Sequence, residues 1–132
     1  NMADEAAELQ PFERSSAEVA ELISGGARLI DVRTAHEHEA AHLADSERIG
    51  LEELLGRRDE IDQGQTVVFY CRVGNRSRMA AQAFSEAGYD AHNLSGGIAQ
   101  WIDDGQPIVP EDGYVAEPGE AAAILEAKAR AK

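Results

Sequence analysis

The sequence predicts an α/β fold in three layers, with a mostly parallel central sheet flanked by helices. Two observations carry this reading. Short apolar runs of the kind buried strands show alternate with segments whose apolar residues recur at helical spacing, giving the order strand, helix, strand, helix, strand, helix. Glycines close the helical segments at Gly25-Gly26, Gly56, Gly88 and Gly105, where each crossover must turn back toward the sheet.

Each element has its own justification. Ser15 followed by Glu18 is a capping-box pattern, and Val19, Leu22 and Ile23 then recur at helical spacing until Gly25-Gly26. Residues 27–32 form a brief apolar run ending in charged residues, as a buried parallel strand would. Residues 34–50 are polar and read as a connection, with His36, His38 and His42 set among Glu37, Glu39 and Asp45. Leu51, Leu54 and Leu55 predict a helix before Gly56, and residues 66–70, Thr-Val-Val-Phe-Tyr, are the strongest strand in the chain. Met79, Ala80, Ala83, Phe84 and Ala87 predict a helical stripe that Gly88 ends, residues 89–94 a weaker strand, and residues 97–104 a short helix with Trp101 as core anchor. This domain runs over residues 11–110. Beyond it the composition shifts: Pro118-Gly119 marks a linker, and Glu120 at one end with Lys128, Arg130 and Lys132 at the other suits a helix macrodipole. Residues 111–132 are expected to form a tail of linker plus short helix, and because only Ile124 and Leu125 are available to dock that helix, it is expected to be a loosely packed appendage.

A chain of 132 residues, 43% apolar and 28% charged, fits one globular domain. Its formal net charge of −13 repels phosphate backbones and anionic lipid surfaces, so neither nucleic acid nor membrane is expected as a partner. No apolar run approaches the roughly 20 residues of a membrane span. The first ten residues are acidic where a secretory signal is basic and then apolar, which points to a cytoplasmic protein. The single cysteine, Cys71, can form neither an internal disulfide nor a multi-thiolate zinc site, so its chemistry is that of a lone thiol.

Residues 70–78 invert the local charge, carrying Arg72, Arg76 and Arg78 and no acid in a strongly acidic chain. They lie between the best strand and a helix, where open α/β sheets hold ligands outside the carboxyl ends of their strands. A loop entering a helix turns free N–H groups inward, and the helix N-terminus adds positive potential. Such surroundings favour a thiolate over a thiol. Gly74 gives the backbone freedom to bend into a cradle. A lone cysteine at a strand end is ordinarily a small buried hydrophobe, but this context favours a nucleophile that receives an anion.

At these residues the chain resembles the rhodanese-like sulfurtransferase family, specifically its single-domain members, from about Ser15 to Val109. Asp31-Val32-Arg33-Thr34 with Glu37 and His42-Leu43 is similar to the family's DVR…E…GHI segment. Cys71-Arg72-Val73-Gly74-Asn75-Arg76 matches its six-residue C-R-x-G-x-R loop, followed by Ser77, and Gly88-Tyr89, Leu94, Gly96-Gly97 and Trp101 match its later pattern. The resemblance implies a rhodanese-like fold and a Cys71 nucleophile that carries sulfane sulfur as a persulfide, with the amides of Arg72, Val73, Gly74, Asn75, Arg76 and Ser77 around the sulfur. One departure is plain: Ala41-His42-Leu43-Ala44-Asp45-Ser46 stands where the family has Gly-His-Ile-Pro-Gly-Ala, losing two glycines and a proline.

Arg33 and Glu37, four apart, are expected to form an ion pair bracing the site, and Asp31 to hydrogen-bond local backbone. The three histidines lack the second ligand cluster a metal site needs, so no metal or cofactor is expected. The function that follows is sulfur transfer: Cys71 takes the outer sulfur of thiosulfate or a similar small anionic donor while Arg72 and Arg76 hold the anion, and passes it to cyanide, a thiol or a sulfur-accepting protein. Two readings compete with it. A phosphatase or arsenate reductase would need five residues between cysteine and arginine, whereas Cys71 and Arg76 enclose four, and a reductase would need a resolving thiol. A non-catalytic binding or regulatory module would have no need of Cys71 together with both arginines.

Overall fold

The computed structural model describes residues 10–131. The acidic start of the chain up to residue 9, and Lys132, which the sequence reading sets at the end of a helix, lie outside the described residues. Five parallel strands form one sheet, β1 (Glu13–Arg14), β2 (Arg28–Asp31), β3 (Glu47–Arg48), β4 (Val67–Tyr70) and β5 (Ala91–Leu94), in the spatial order β1-β5-β4-β2-β3. The helices are α1 (Ser16–Ser24), α2 (Ala35–Ala40), α3 (Leu51–Leu54, continued by a 3-10 turn over Leu55–Glu60), α4 (Asn75–Glu86), α5 (Gly97–Asp103) and α6 (Glu120–Arg130). This is the α/β architecture the sequence predicts.

The core forms on both faces of the sheet because its central strand is apolar on both. In β4, Val67 and Phe69 join Phe12, Ile30 and Phe84 on one side, while Val68 and Tyr70 join Val19, Leu29, Leu94 and Trp101 on the other. All four β4 residues are fully buried, as a continuous apolar run in a parallel sheet requires. Trp101 is the expected anchor, its indole N–H donating to the Pro107 carbonyl at 2.7 Å. The Ser15–Glu18 capping box at the start of α1 forms with both reciprocal bonds in place.

Two expectations are corrected. The polar stretch 34–50 holds α2 and β3, because Thr34 and Glu37 form a second capping box with the same spacing as the first. Helix α4 begins at Asn75, four residues before the apolar stripe, and its buried face is Ser77, Ala80, Ala81 and Phe84, with Met79 64% exposed. The chain from Val109 to Ala116 is tied to the domain. Val109 pairs with His42 through two backbone hydrogen bonds, the Tyr114 amide donates to the Ala40 carbonyl at 3.1 Å, and Ala116 is fully buried. A Cβ on Gly113 would stand 2.4 Å from that Ala40 carbonyl oxygen, so glycine is what lets this strap lie against α2. Helix α6 is largely exposed, with Leu125 68% exposed.

Candidate active site

Cys71 directly follows β4, at the carboxyl edge of the sheet, and leads into α4. The chain turns there because Gly74 adopts a left-handed conformation, φ 100° and ψ −5°, at the N-cap of α4. The turn folds the loop around the sulfur. The Gly74 amide donates to Cys71 Sγ at 3.1 Å, the Ser77 amide at 3.4 Å and the Ser77 hydroxyl at 3.3 Å. Three donors thus converge on one sulfur. Among the described residues the amides of Arg72, Val73, Asn75 and Arg76 bond to no protein acceptor, as the first turn of a helix and the loop before it leave them.

A second helix N-terminus fixes the other side of the loop. Ile98 and Ala99, at the start of α5, donate their amides to the carbonyls of Cys71 and Arg72 at 3.0 and 3.1 Å. The approach is so close that a Cβ on Gly97 would come within 2.4 Å of the Arg72 carbonyl oxygen. Asn93 Nδ2 donates to the Gly74 carbonyl at 3.2 Å and to Glu13 Oε1 at 2.7 Å, tying the loop to β5 and β1. Gly97 was readable only as part of a Gly-Gly pattern, and Asn93 carried no signal because a polar residue in a weak strand has many structural uses.

The supporting residues meet in a different pairing from the one expected. Arg33 binds Asp31 through two hydrogen bonds of 2.8 and 2.7 Å, both side chains fully buried, and also donates to the Ala41 carbonyl at 2.6 Å. Asp31 in addition accepts from the Arg33 amide at 3.0 Å, the local backbone bond expected of it. Glu37 instead takes Arg76, whose two terminal nitrogens lie 3.0 and 2.9 Å from its carboxylate oxygens. The i,i+4 rule failed here because Arg33 precedes α2 and turns back toward the strand end it follows. Burial pushes the Glu37 carboxyl up, but hydrogen bonds from Arg76 and Thr34 outweigh it and hold the group below its ordinary range. Asp31 is likewise pushed up by burial and brought below its ordinary value by bonds from His38 and Arg33.

The loop arginines are therefore not free cations. Arg76 is committed to Glu37, Arg78 Nε lies 2.9 Å from Glu13 Oε2, and Arg72 Nη2 lies 3.8 Å from Glu117 Oε2 in the tail. Each histidine of the 34–50 stretch has its own hydrogen-bond partner. His36 meets Glu120 at 2.6 Å, His38 meets Asp31 at 2.8 Å, and His42 meets the His38 carbonyl at 2.8 Å. The His38 and His42 rings stack 4.0 Å apart.

Residues 15–104 match the rhodanese-like domain. The chain is 38% identical over 76 residues to the Bacillus subtilis protein YqhL, a match covering 57% of this chain and 60% of that relative. It is 34% identical over 84 residues to the thiosulfate sulfurtransferase GlpE of Actinobacillus pleuropneumoniae, covering 63% of this chain and 78% of the relative. Among solved structures, a rhodanese-related protein from Thermoplasma volcanium superimposes with a TM-score of 0.69 at 29% identity, over 74% of this chain and 96% of that one. A six-residue cysteine loop held between two helix N-termini, on a parallel sheet with these relatives, places the chain in the rhodanese-like domain family, a family of sulfur transfer.

Proposed function

We propose that this chain is a cytoplasmic sulfurtransferase that takes sulfane sulfur from thiosulfate or a similar small anionic donor onto Cys71 and passes it to cyanide or a thiol, including a thiol of a sulfur-accepting protein. The observation that carries the reading is the convergence of the Gly74 amide, the Ser77 amide and the Ser77 hydroxyl on Cys71 Sγ, with four further loop amides left without protein acceptors. Among the described residues no helix is long and apolar enough to cross a membrane.

The reaction follows from that arrangement. The Cys71 thiolate attacks the outer sulfur of thiosulfate, the S–S bond of the donor breaks, and sulfite leaves with its electron pair. The persulfide anion that remains carries its charge on the outer sulfur, which the free amides of Arg72, Val73, Asn75 and Arg76 would stabilise without any proton transfer. Cyanide then attacks that outer sulfur, thiocyanate leaves, and the Cys71 thiolate is regenerated. A thiolate acceptor reacts in the same way and departs as a persulfide. In this scheme Cys71 is the catalytic residue. Arg76 positions the loop through Glu37, and Asp31 with Arg33 braces the strand end beside it. Cyanide-dependent thiocyanate formation tests the reading. The protein should turn over and Cys71→Ser should not, because a serine hydroxyl is not ionised at neutral pH. Absence of turnover in the unaltered protein would favour the binding-module reading.

A further inference from the structure

We propose that Glu117, a tail residue beyond the matched domain, is a specificity-determining residue that selects sulfur donors by their charge, disfavouring dianions relative to monoanions. The inference rests on the sulfur-transfer reading above and concerns the donor side of the same site. Of the three loop arginines, Arg76 is held by the fully buried Glu37 and Arg78 by Glu13, each at 2.9 Å. Arg72, adjacent to the nucleophile, is the one whose counter-charge is distant and exposed: Glu117 lies 3.8 Å away, with its side chain 71% exposed. Arg72 also has a buried Nε without a hydrogen-bond partner, so its guanidinium is not fully engaged.

Glu117 is held there by its neighbours in the chain. On one side, Gly113 and Tyr114 lie against the Ala40 carbonyl and Ala116 is fully buried. On the other, the Glu120 amide donates to the Glu117 carbonyl at 3.1 Å. The Glu120 carboxylate meets both His36 and the Tyr114 hydroxyl at 2.6 Å. With the backbone on both sides of Glu117 held, its carboxylate stays beside the Arg72 guanidinium, and a negative charge there opposes an incoming anion in proportion to that anion's charge. A dianion such as thiosulfate is therefore penalised more than a monoanion presenting the same reactive sulfur.

The test compares thiosulfate with the methanethiosulfonate anion, which transfers the same kind of sulfur but carries one charge and releases a sulfinate. Taking a charge-to-charge separation of roughly 10 Å in near-aqueous surroundings at about 10 mM ionic strength, one charge changes an encounter by about 1.7-fold. Glu117→Gln should then raise kcat/KM by about 1.7-fold for methanethiosulfonate and about threefold for thiosulfate, so that the ratio between donors shifts by about 1.7-fold. Glu117→Lys should shift that ratio by about threefold, and about 150 mM salt should flatten both shifts to near 1.2- to 1.5-fold. A merely structural role for Glu117 would change both donors equally and leave the ratio fixed. An unchanged ratio in both variants, with turnover intact, overturns the charge filter alone. Failure of the unaltered protein to take sulfur from either donor overturns the sulfur-transfer reading and the filter with it.

Discussion

Replacing Glu37 by glutamine should be among the most damaging single changes in this protein, although the residue does not touch the sulfur. Glu37 is fully buried and accepts four hydrogen bonds, from Arg76 Nη1 at 3.0 Å, Arg76 Nη2 at 2.9 Å, the Thr34 amide at 3.0 Å and the Thr34 hydroxyl at 3.1 Å. Glutamine keeps the shape but sets an NH2 group against donors and leaves the guanidinium without its charge partner. Removing one member of a buried pair costs about 3–5 kcal/mol. The Arg76 side chain is 29% exposed, so water recovers part of that and about 2–3 kcal/mol remains. For a domain of this size the loss corresponds to a fall in Tm of roughly 10 °C. Urea unfolding followed by circular dichroism, with the slope m unchanged, measures it directly.

The same substitution has a pH signature. The folded Glu37 carboxyl lies below its ordinary value of 4.5, so its contribution is fully present above that pH and is lost as the pH falls through the lower, folded value. The gap between the parent and Glu37→Gln should therefore be widest at neutral pH, begin to close as the pH falls below 4.5, and go on closing through the lower folded value. Because Arg76 acts through Glu37, Arg76→Met combined with Glu37→Gln should cost less than the sum of the two single changes, by about 1–3 kcal/mol. A loss under about 0.5 kcal/mol, or additive effects, would refute the claim that this pair holds the loop.

Ser77→Ala removes the hydroxyl donor 3.3 Å from Cys71 Sγ and keeps the amide. Sulfur-transfer rate should fall about tenfold with little change in Tm, as expected for a charge-assisted bond worth roughly 1.5 kcal/mol, and an unaltered rate would mean the hydroxyl does not support the sulfur. Gly97→Ala forces a Cβ to within 2.4 Å of the Arg72 carbonyl oxygen, so activity and stability should fall together by more than in Gly88→Ala. That position shares a positive φ but has nothing within 4 Å, leaving only the left-handed backbone cost of about 1–2 kcal/mol. Equal melting temperatures for the two variants would contradict the close packing of the α5 N-terminus on the loop.

The sequence carried the loop more fully than its supports. Val67 to Tyr70 is apolar on both faces because a central parallel strand is buried on both, and the loop after Cys71 stood out by its arginines and Gly74, although the helix start at Asn75 did not. What stayed hidden depended on tertiary contacts or on elements too short for a period to show. Two-residue strands such as Glu13–Arg14 and Glu47–Arg48 contain no alternation to detect. Thr34-x-x-Glu37 did carry a readable cap, the same one recognised at Ser15, but its polar surroundings masked it. The partners of Arg33 and Arg76 were exchanged because sequence distance favours Glu37 for Arg33, whereas the fold places Arg76, thirty-nine residues away in the chain, on that carboxylate. The strap over residues 113–116 was invisible because it docks through small residues, Gly113 and Ala116, rather than through a hydrophobic stripe.

The central claim is that Cys71 carries the transferred sulfur, and intact-mass spectrometry after exposure to thiosulfate tests it most directly. The protein should gain about 32 Da, one sulfur atom, located at Cys71 by peptide mapping, and cyanide should remove it with release of thiocyanate. Cys71→Ser should show no gain. An unmodified parent mass under conditions where thiosulfate is in excess, or a gain that survives in Cys71→Ser, would contradict the account.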